Sequence, residues 1–164
     1  IEHYSDNYKT GLEIASFADV PTVGTGLGSS STFSVALIKA LSDLNAKSFT
    51  FLRHKIAEFA CDLEIEKCGS PIGKQDQYAA AFGGMNHFRF NQTDTVSVTP
   101  ISVLPDLNEN LLLFYTGKSR SASRILVDQD KKSHEKDLDM KKNLDNIKKL
   151  GFKATDLLIK GDTK

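Results

Sequence analysis

Cysteine is nearly missing from this chain of 164 residues, which holds only Cys61 and Cys68. Two cysteines cannot build a disulfide framework, and their C-x6-C spacing matches no zinc signature. The four histidines, His3, His54, His87 and His134, are scattered, so a structural metal is not expected. The cysteines read as reduced thiols of a cytoplasmic protein. Net charge is missing as well: 21 Lys+Arg stand against 21 Asp+Glu. A generic binder of nucleic acid or anionic membrane needs excess cations to displace counterions, so neither partner is expected. No uncharged apolar run approaches the length of a bilayer span. The opening residues, Ile1-Glu2-His3-Tyr4-Ser5-Asp6, lack the basic start and apolar middle of a signal peptide. What is present is 40% hydrophobic, 26% charged and 9% aromatic residues, which excludes a disordered or collagen-like chain. The length suits one ordinary domain or pieces of two.

Along the chain, Gly11 to Val20 alternates like a strand, and Pro21 to Gly28 breaks it with Gly24, Gly26 and Gly28. Ser29-Ser30-Ser31-Thr32 follows, a cluster of N-cap residue types, and then the apolar run of a helix from Phe33 to Leu41. A second helix is expected over Thr50 to Lys67, from the spacing of Leu52, Ile56, Phe59, Ala60 and Leu63, with Gly69 to end it. A third, Lys74 to Phe82, stops at Gly83-Gly84. MNHFRF, TVSVTPISV and LLLFYTG then read as three strands, with Asn91 to Asp94 and Asp106 to Glu109 as turns. The tail returns to helix, with Leu138, Leu144, Ile147 and Leu150 spaced for one buried face beside a basic solvated one, punctuated by Gly151 and Gly161. Helices followed by antiparallel-looking strands favour an α+β arrangement. A Lys-rich amphipathic helix cannot close a domain alone, so the last segment reads as the beginning of a second domain.

Chemistry is concentrated in two places. In Gly24-Thr25-Gly26-Leu27-Gly28-Ser29-Ser30-Ser31, glycines let backbone amides approach a bound group, and the helix N-terminus behind them presents unpaired N–H groups. That is a phosphate cradle needing no excess lysine, and its serines can cap the helix or ligate Mg²⁺. A plain Gly-rich turn with a capping serine fits equally well. Neither a Walker A lysine nor the G-x-G-x-x-G spacing is present. The second place is Glu64 and Glu66, followed across a tight Gly69-Ser70-Pro71-Ile72-Gly73 break by Asp76. The break lets Glu64 and Asp76 fold into one cleft, where one carboxylate with a serine hydroxyl could hold Mg²⁺ on a nucleotide and the other could take a proton during phosphoryl transfer. Taken singly, a solvated Glu66 and a helix-entry Asp76 are the plainer reading. Thr116-Gly117-Lys118-Ser119-Arg120-Ser121 suits a phosphorylated or polyhydroxyl ligand, or simply a polar turn. Cys68, His54 and His87 read as structural.

Together these features resemble the GHMP kinases, whose nucleotide loop reads Pro-x-x-x-Gly-Leu-Gly-Ser-Ser-Ala. Here Pro21 precedes Gly26-Leu27-Gly28-Ser29-Ser30, with four residues where that loop has three, and Ser31 stands for the alanine. A Glu-bearing helix, a Gly69-x-Pro71-x-Gly73 turn, Asp76 and the Gly83-Gly84 pair follow in the family's order. Within the family, Ile14 to Pro21, Pro71 to Gly84 and Tyr115 to Ser123 are most similar to the branch acting on heptose 7-phosphate. The resemblance implies ATP and Mg²⁺ as cofactors, a sugar phosphate as substrate, and transfer to the anomeric hydroxyl to give a heptose 1,7-bisphosphate. It implies that Ser30 and Glu64 hold the magnesium and that Asp76 is the base facing the sugar. Gly24, Gly26, Leu27, Gly28, Ser29, Ser30 and Ser31 are then the nucleotide loop, and Thr116 and Arg120 lie toward the sugar phosphate.

The implied fold is an α+β GHMP kinase fold. Its N-terminal, ATP-binding domain of the ribosomal protein S5 domain 2-like type covers 1–104 without its first strands, and a truncated ferredoxin-like C-terminal domain begins in 105–164. An N-terminal sugar-binding segment and a late glycine-rich loop of the family are absent from these residues, so the 164 alone are expected to be inactive or nearly so. Three rivals remain: another sugar kinase of the family (for fucose, galactose or a uronic acid), a catalytically silent sugar- or nucleotide-binding relative, and a purely structural α+β domain.

Overall fold

In a computed structural model, residues 12–19, 26–44, 52–102, 109–114, 122–135 and 137–161 are described. The chain falls into two compact units, Ile1–Phe82 and Gly83–Lys164. Helices and a small antiparallel sheet are both present, the helices dominating.

Among the described residues the first unit holds three helices: α1, Ser29–Leu44; α2, Arg53–Cys61, continued as a π-helical turn over Asp62–Lys67; and α3, Gln75–Phe82. On α1 the buried residues are Ser31, Ser34, Val35, Ile38, Leu41 and Ser42, a spacing of threes and fours that makes one stripe. Val35 and Ile38 meet Ile56 and Ala60 of α2 in the core, with Leu63, Ala80 and Ala81 packed against it. Burying the larger of these, Val35, Ile38 and Ile56, stabilises by about 1.5–3 kcal/mol each. Ala57 and Ala60 are fully buried, so α2 approaches its neighbours closely through small side chains. His54 lies edge-on to Phe82, ring centroids 4.8 Å apart, a packing role as expected.

Two details at helix ends position the rest. The Gly28 carbonyl accepts from the Thr32 amide at 2.9 Å and from the Thr32 hydroxyl at 3.0 Å, which makes Gly28, rather than a serine, the residue that opens α1. At the other end of the unit, the Arg53 guanidinium donates to the Phe82 carbonyl at 2.9 Å, and Gly83 follows with φ 62°. A cation on the last carbonyl and a left-handed glycine end α3 where the Gly83-Gly84 pair implied.

The second unit holds the hairpin of β1, Asn86–Phe90, and β2, Val96–Pro100, with Phe88 opposite Val98. Its loop turns at the expected residues: the Asp94 amide donates to the Asn91 carbonyl at 3.1 Å, and Asp94 takes the left-handed φ of 61° that a short polar side chain tolerates. Helices α4, Ala122–His134, and α5, Leu138–Lys160, follow. The Asp137 carboxylate caps α5 by accepting from the Met140 amide at 2.8 Å.

Four expectations are corrected. Residues 12–18 are irregular and exposed rather than a strand, Phe17 being 95% exposed. A strand exists only where its backbone groups find a ladder, and among the described residues none runs beside this segment. Residues 111–114 of the expected third strand are likewise irregular and exposed for want of a partner, and the rest of that segment lies outside the described residues. The face of α5 expected to be buried contains no buried residue, because the one other helix and the short hairpin described in this unit do not cover its 23 residues. Gly151 does not interrupt α5, since a single glycine costs only about 1 kcal/mol and the helix continues through it. The expected Asp106 to Glu109 turn lies, but for Glu109, outside the described residues.

Candidate functional site

The site lies wholly in the first unit, where the start of α1, the π-helical turn and the start of α3 meet. Gly26 and Gly28 take φ values of 72° and 66°, conformations that L side chains rarely adopt. A β-carbon added to Gly28 would stand 3.4 Å from the Asp76 carboxyl carbon and from its Oδ2, so the loop and the Asp76 side chain are in contact. Ser29, the first helical residue of α1, follows directly after this glycine. The amides of its first turn lack intrahelical partners, as at any helix start, and give the loop end a partial positive charge.

The serines do not cap their own helix. The Ser30 hydroxyl donates to Oε1 of Glu64, and the Ser31 hydroxyl donates to Oε2 of Glu64 at 2.7 Å. A third donor arrives from α3: Nε2 of Gln77 reaches the same Oε2 at 2.6 Å. Glu64 is 5% exposed and Gln77 completely buried, while Ser30 and Asp76 are exposed. One buried carboxylate therefore gathers hydroxyls from α1 and an amide from α3.

The local sequence explains this convergence. Ser31 lies on the buried stripe of α1, four residues before Val35. Glu64 continues the buried face of α2, four residues after Ala60, and sits where the helix widens to π geometry, the Cys68 amide donating to the Leu63 carbonyl at 2.9 Å. Such widened turns recur at functional sites, where they re-aim a side chain. Gln77 and Tyr78 are the buried residues of α3. Asp76, one position earlier, faces the loop instead. The two carboxylates meet the same stretch, Gly28 to Ser31, Asp76 at its glycine and Glu64 at its serines.

No ion pair to Glu64 exists among the described residues. A buried carboxylate satisfied only by neutral donors still lacks a counter-charge, and a cation beside it is favoured. The donors at hand, a carboxylate oxygen and an alcohol, are hard oxygens of the kind Mg²⁺ takes while phosphates and waters supply the remainder. The residues present therefore fit a magnesium–nucleotide site. No cluster of three or more His, Cys, Asp or Glu residues fit to hold a metal by itself occurs among the described residues.

Of the residues singled out from sequence, Gly26, Leu27, Gly28, Ser29, Ser30, Ser31, Glu64 and Asp76 fall in this one region. Leu27 is half exposed. Gly24, Thr116 and Arg120 lie outside the described residues. Glu66 is exposed, as the plainer reading held, and Cys61 and Cys68 are not joined in a disulfide. Sequence reasoning missed Gln77 as a participant. Its signal was a polar residue beside Tyr78 on the inward side of a short helix that ends in alanines and Phe82. No described helix is long and apolar enough to cross a membrane.

The chain is 34% identical over 156 residues to a D-glycero-alpha-D-manno-heptose 7-phosphate kinase of Campylobacter jejuni, covering 92% of this chain and 44% of that protein. It is 34% identical over 116 residues to a galactokinase of Thermococcus kodakarensis, covering 71% of this chain and 32% of the relative. A galactokinase of Pyrococcus furiosus matches at 32% over 134 residues, covering 81% and 37%. The chain thus spans less than half the length of each of these relatives. Residues 1–84, which carry the glycine loop, the serines, Glu64 and Asp76, match the GHMP kinases N terminal domain, and the chain belongs to the GHMP kinase family.

Proposed function

We propose that this chain is the nucleotide-binding part of an ATP-dependent sugar kinase that phosphorylates the anomeric hydroxyl of a heptose 7-phosphate, giving the 1,7-bisphosphate. The observation that carries the proposal is the convergence of Ser30 and Ser31 on buried Glu64, with Asp76 against Gly28 at the other end of the same loop. In this reading Gly24, Gly26, Leu27, Gly28, Ser29, Ser30 and Ser31 form the nucleotide loop. Backbone amides at the start of α1 bind phosphate oxygens, as helix N-termini do without any lysine. Ser30 and Glu64 hold Mg²⁺, which when bound neutralises charge on the nucleotide phosphates. Ser31 holds the other oxygen of Glu64 and keeps the carboxylate from turning.

Asp76 acts as general base: its exposed carboxylate accepts the proton of the sugar hydroxyl as that oxygen attacks the γ-phosphorus and the bond to ADP breaks. Positioning and charge stabilisation supply most of such catalysis, so the contact of Asp76 with the loop backbone matters as much as its basicity. Thr116 and Arg120 are proposed to lie toward the sugar phosphate. At the level of fold, the proposal includes an S5 domain 2-like N-terminal domain over 1–104 and the start of a ferredoxin-like domain after it.

The relative named for heptose 7-phosphate, whose match covers nearly all of this chain, supports that substrate. The two galactokinase matches favour a second reading, a kinase of an unphosphorylated sugar with the same loop and base. ADP release by the full-length protein with Mg·ATP and a panel of sugars, beside an Asp76→Asn variant, separates them. Turnover confined to heptose 7-phosphate and lost in the variant is expected. Turnover on galactose alone moves the chain to the second reading, and ATP binding without turnover on any sugar removes both.

A further inference from the structure

Gln77 has no part in the nucleotide and base assignments above, yet it is the most enclosed side chain of the site. It is fully buried, its Nε2 donates to Oε2 of Glu64 at 2.6 Å, and its Oε1 has no hydrogen-bond partner. The orientation of the amide follows from chemistry, because an ionised carboxylate only accepts and the NH₂ must face it. The carbonyl is then turned away with nothing to accept from. Buried acceptors left bare are rare in folded proteins, so the bond to Glu64 holds this amide at the expense of its other end.

The two oxygens of Glu64 are therefore unequal. Oε2 is taken twice, by Ser31 at 2.7 Å and by Gln77, while Oε1 meets only the exposed Ser30 hydroxyl. We propose that Gln77 is a positioning residue that, with Ser31, locks Oε2 of Glu64 so that Oε1 alone is offered, with Ser30, to the nucleotide's divalent cation. The inference rests on the magnesium reading of Glu64 given above. It also joins two helices: Gln77 follows Asp76 on α3, so the bond that orients the metal carboxylate fixes the rotation of the helix that carries the base.

The test uses the full-length protein and Mn²⁺, followed by electron paramagnetic resonance during titration with a non-hydrolysable ATP analogue, with thermal unfolding alongside. Groups that orient a metal ligand without touching the metal change affinity about 10–100-fold. Gln77→Met, similar in volume but without the amide, is expected to weaken Mn²⁺ in the nucleotide complex by at least about tenfold. Metal-free nucleotide affinity should stay within about twofold, because the loop amides are untouched. Gln77→Asn keeps polarity but retracts the donor, and serves the same purpose should the methionine variant fail to fold.

Glu64→Gln is expected to weaken Mn²⁺ at least as much, and adding Gln77→Met to it should cost almost nothing more, since Gln77 acts through Glu64. Unchanged Mn²⁺ affinity in folded Gln77 variants, with Glu64→Gln still defective, overturns the positioning role alone. Unchanged affinity in Glu64→Gln overturns the magnesium reading, and this inference with it.

Discussion

In the unit ending at Phe82, three helices close a core around Val35, Ile38, Ile56 and Ala60 and direct polar side chains from two of them onto one buried carboxylate. In the unit beginning at Gly83, a helix of 23 residues buries none of them, and Leu138, Ile147, Leu150 and Ile159 all remain well exposed. Both units carry amphipathic helices, so pattern alone does not separate them. Among the described residues, the first has three helices whose stripes face one another, and the second has a long stripe that stays exposed. In the first, donors from several elements are held around Glu64, which a buried polar centre requires.

The largest effect that sharpens this contrast is chemical. Asp76→Asn should lower kcat by about 10²–10⁴-fold while leaving ATP binding intact, as steady-state kinetics beside equilibrium binding would record. Parallel losses of rate and nucleotide affinity would assign Asp76 to the loop instead. Next comes packing. Ile38→Ala removes a residue 7% exposed and should cost about 2–5 kcal/mol in chemical denaturation, against about 0.5 kcal/mol or less for Ile147→Ala in α5, which is 64% exposed. Equal costs for the two would erase the distinction between the units. Gly28→Ala forces a side chain into φ 66° beside Asp76 and should destabilise by about 1 kcal/mol or more. Its readout is a lower melting temperature together with weaker ATP binding, and an unchanged value of either argues against the strained loop.

The contrast also explains which features the sequence made legible. The helices of the first unit were readable because Val35, Ile38 and Leu41, and then Ile56 and Ala60, repeat at helical spacing and find partners. The hairpin was readable from the Asn91 to Asp94 turn between apolar alternations. Residues 12–18 and 111–114 alternate or run apolar as strands do, yet a strand is a property of a pair, and sequence does not say whether the partner is at hand. The site was legible through glycines, serines and acids, whose residue types announce phosphate and metal chemistry. Gln77 was not, because its importance comes from a bond across thirteen residues to Glu64, and glutamine is common on solvated helix faces. Nor did a run of cap-type serines reveal that their hydroxyls leave the helix for Glu64 while Gly28 opens it.

The central claim, that the start of α1 and Glu64 form a magnesium–nucleotide site, is tested most directly by comparing Ser30→Ala with Ser31→Ala in the full-length protein. Ser30 is exposed and meets the free oxygen of Glu64, whereas Ser31 is 3% exposed and meets the locked one. Ser30→Ala should raise the Mg²⁺ concentration for half-maximal turnover about tenfold or more with little loss of stability, since it removes a ligand rather than a packed group. Ser31→Ala should lower stability by about 1.5–3 kcal/mol, the size of a buried hydrogen bond to a charged group. An unchanged Mg²⁺ requirement in Ser30→Ala, with Ser31→Ala behaving the same way, would contradict the account.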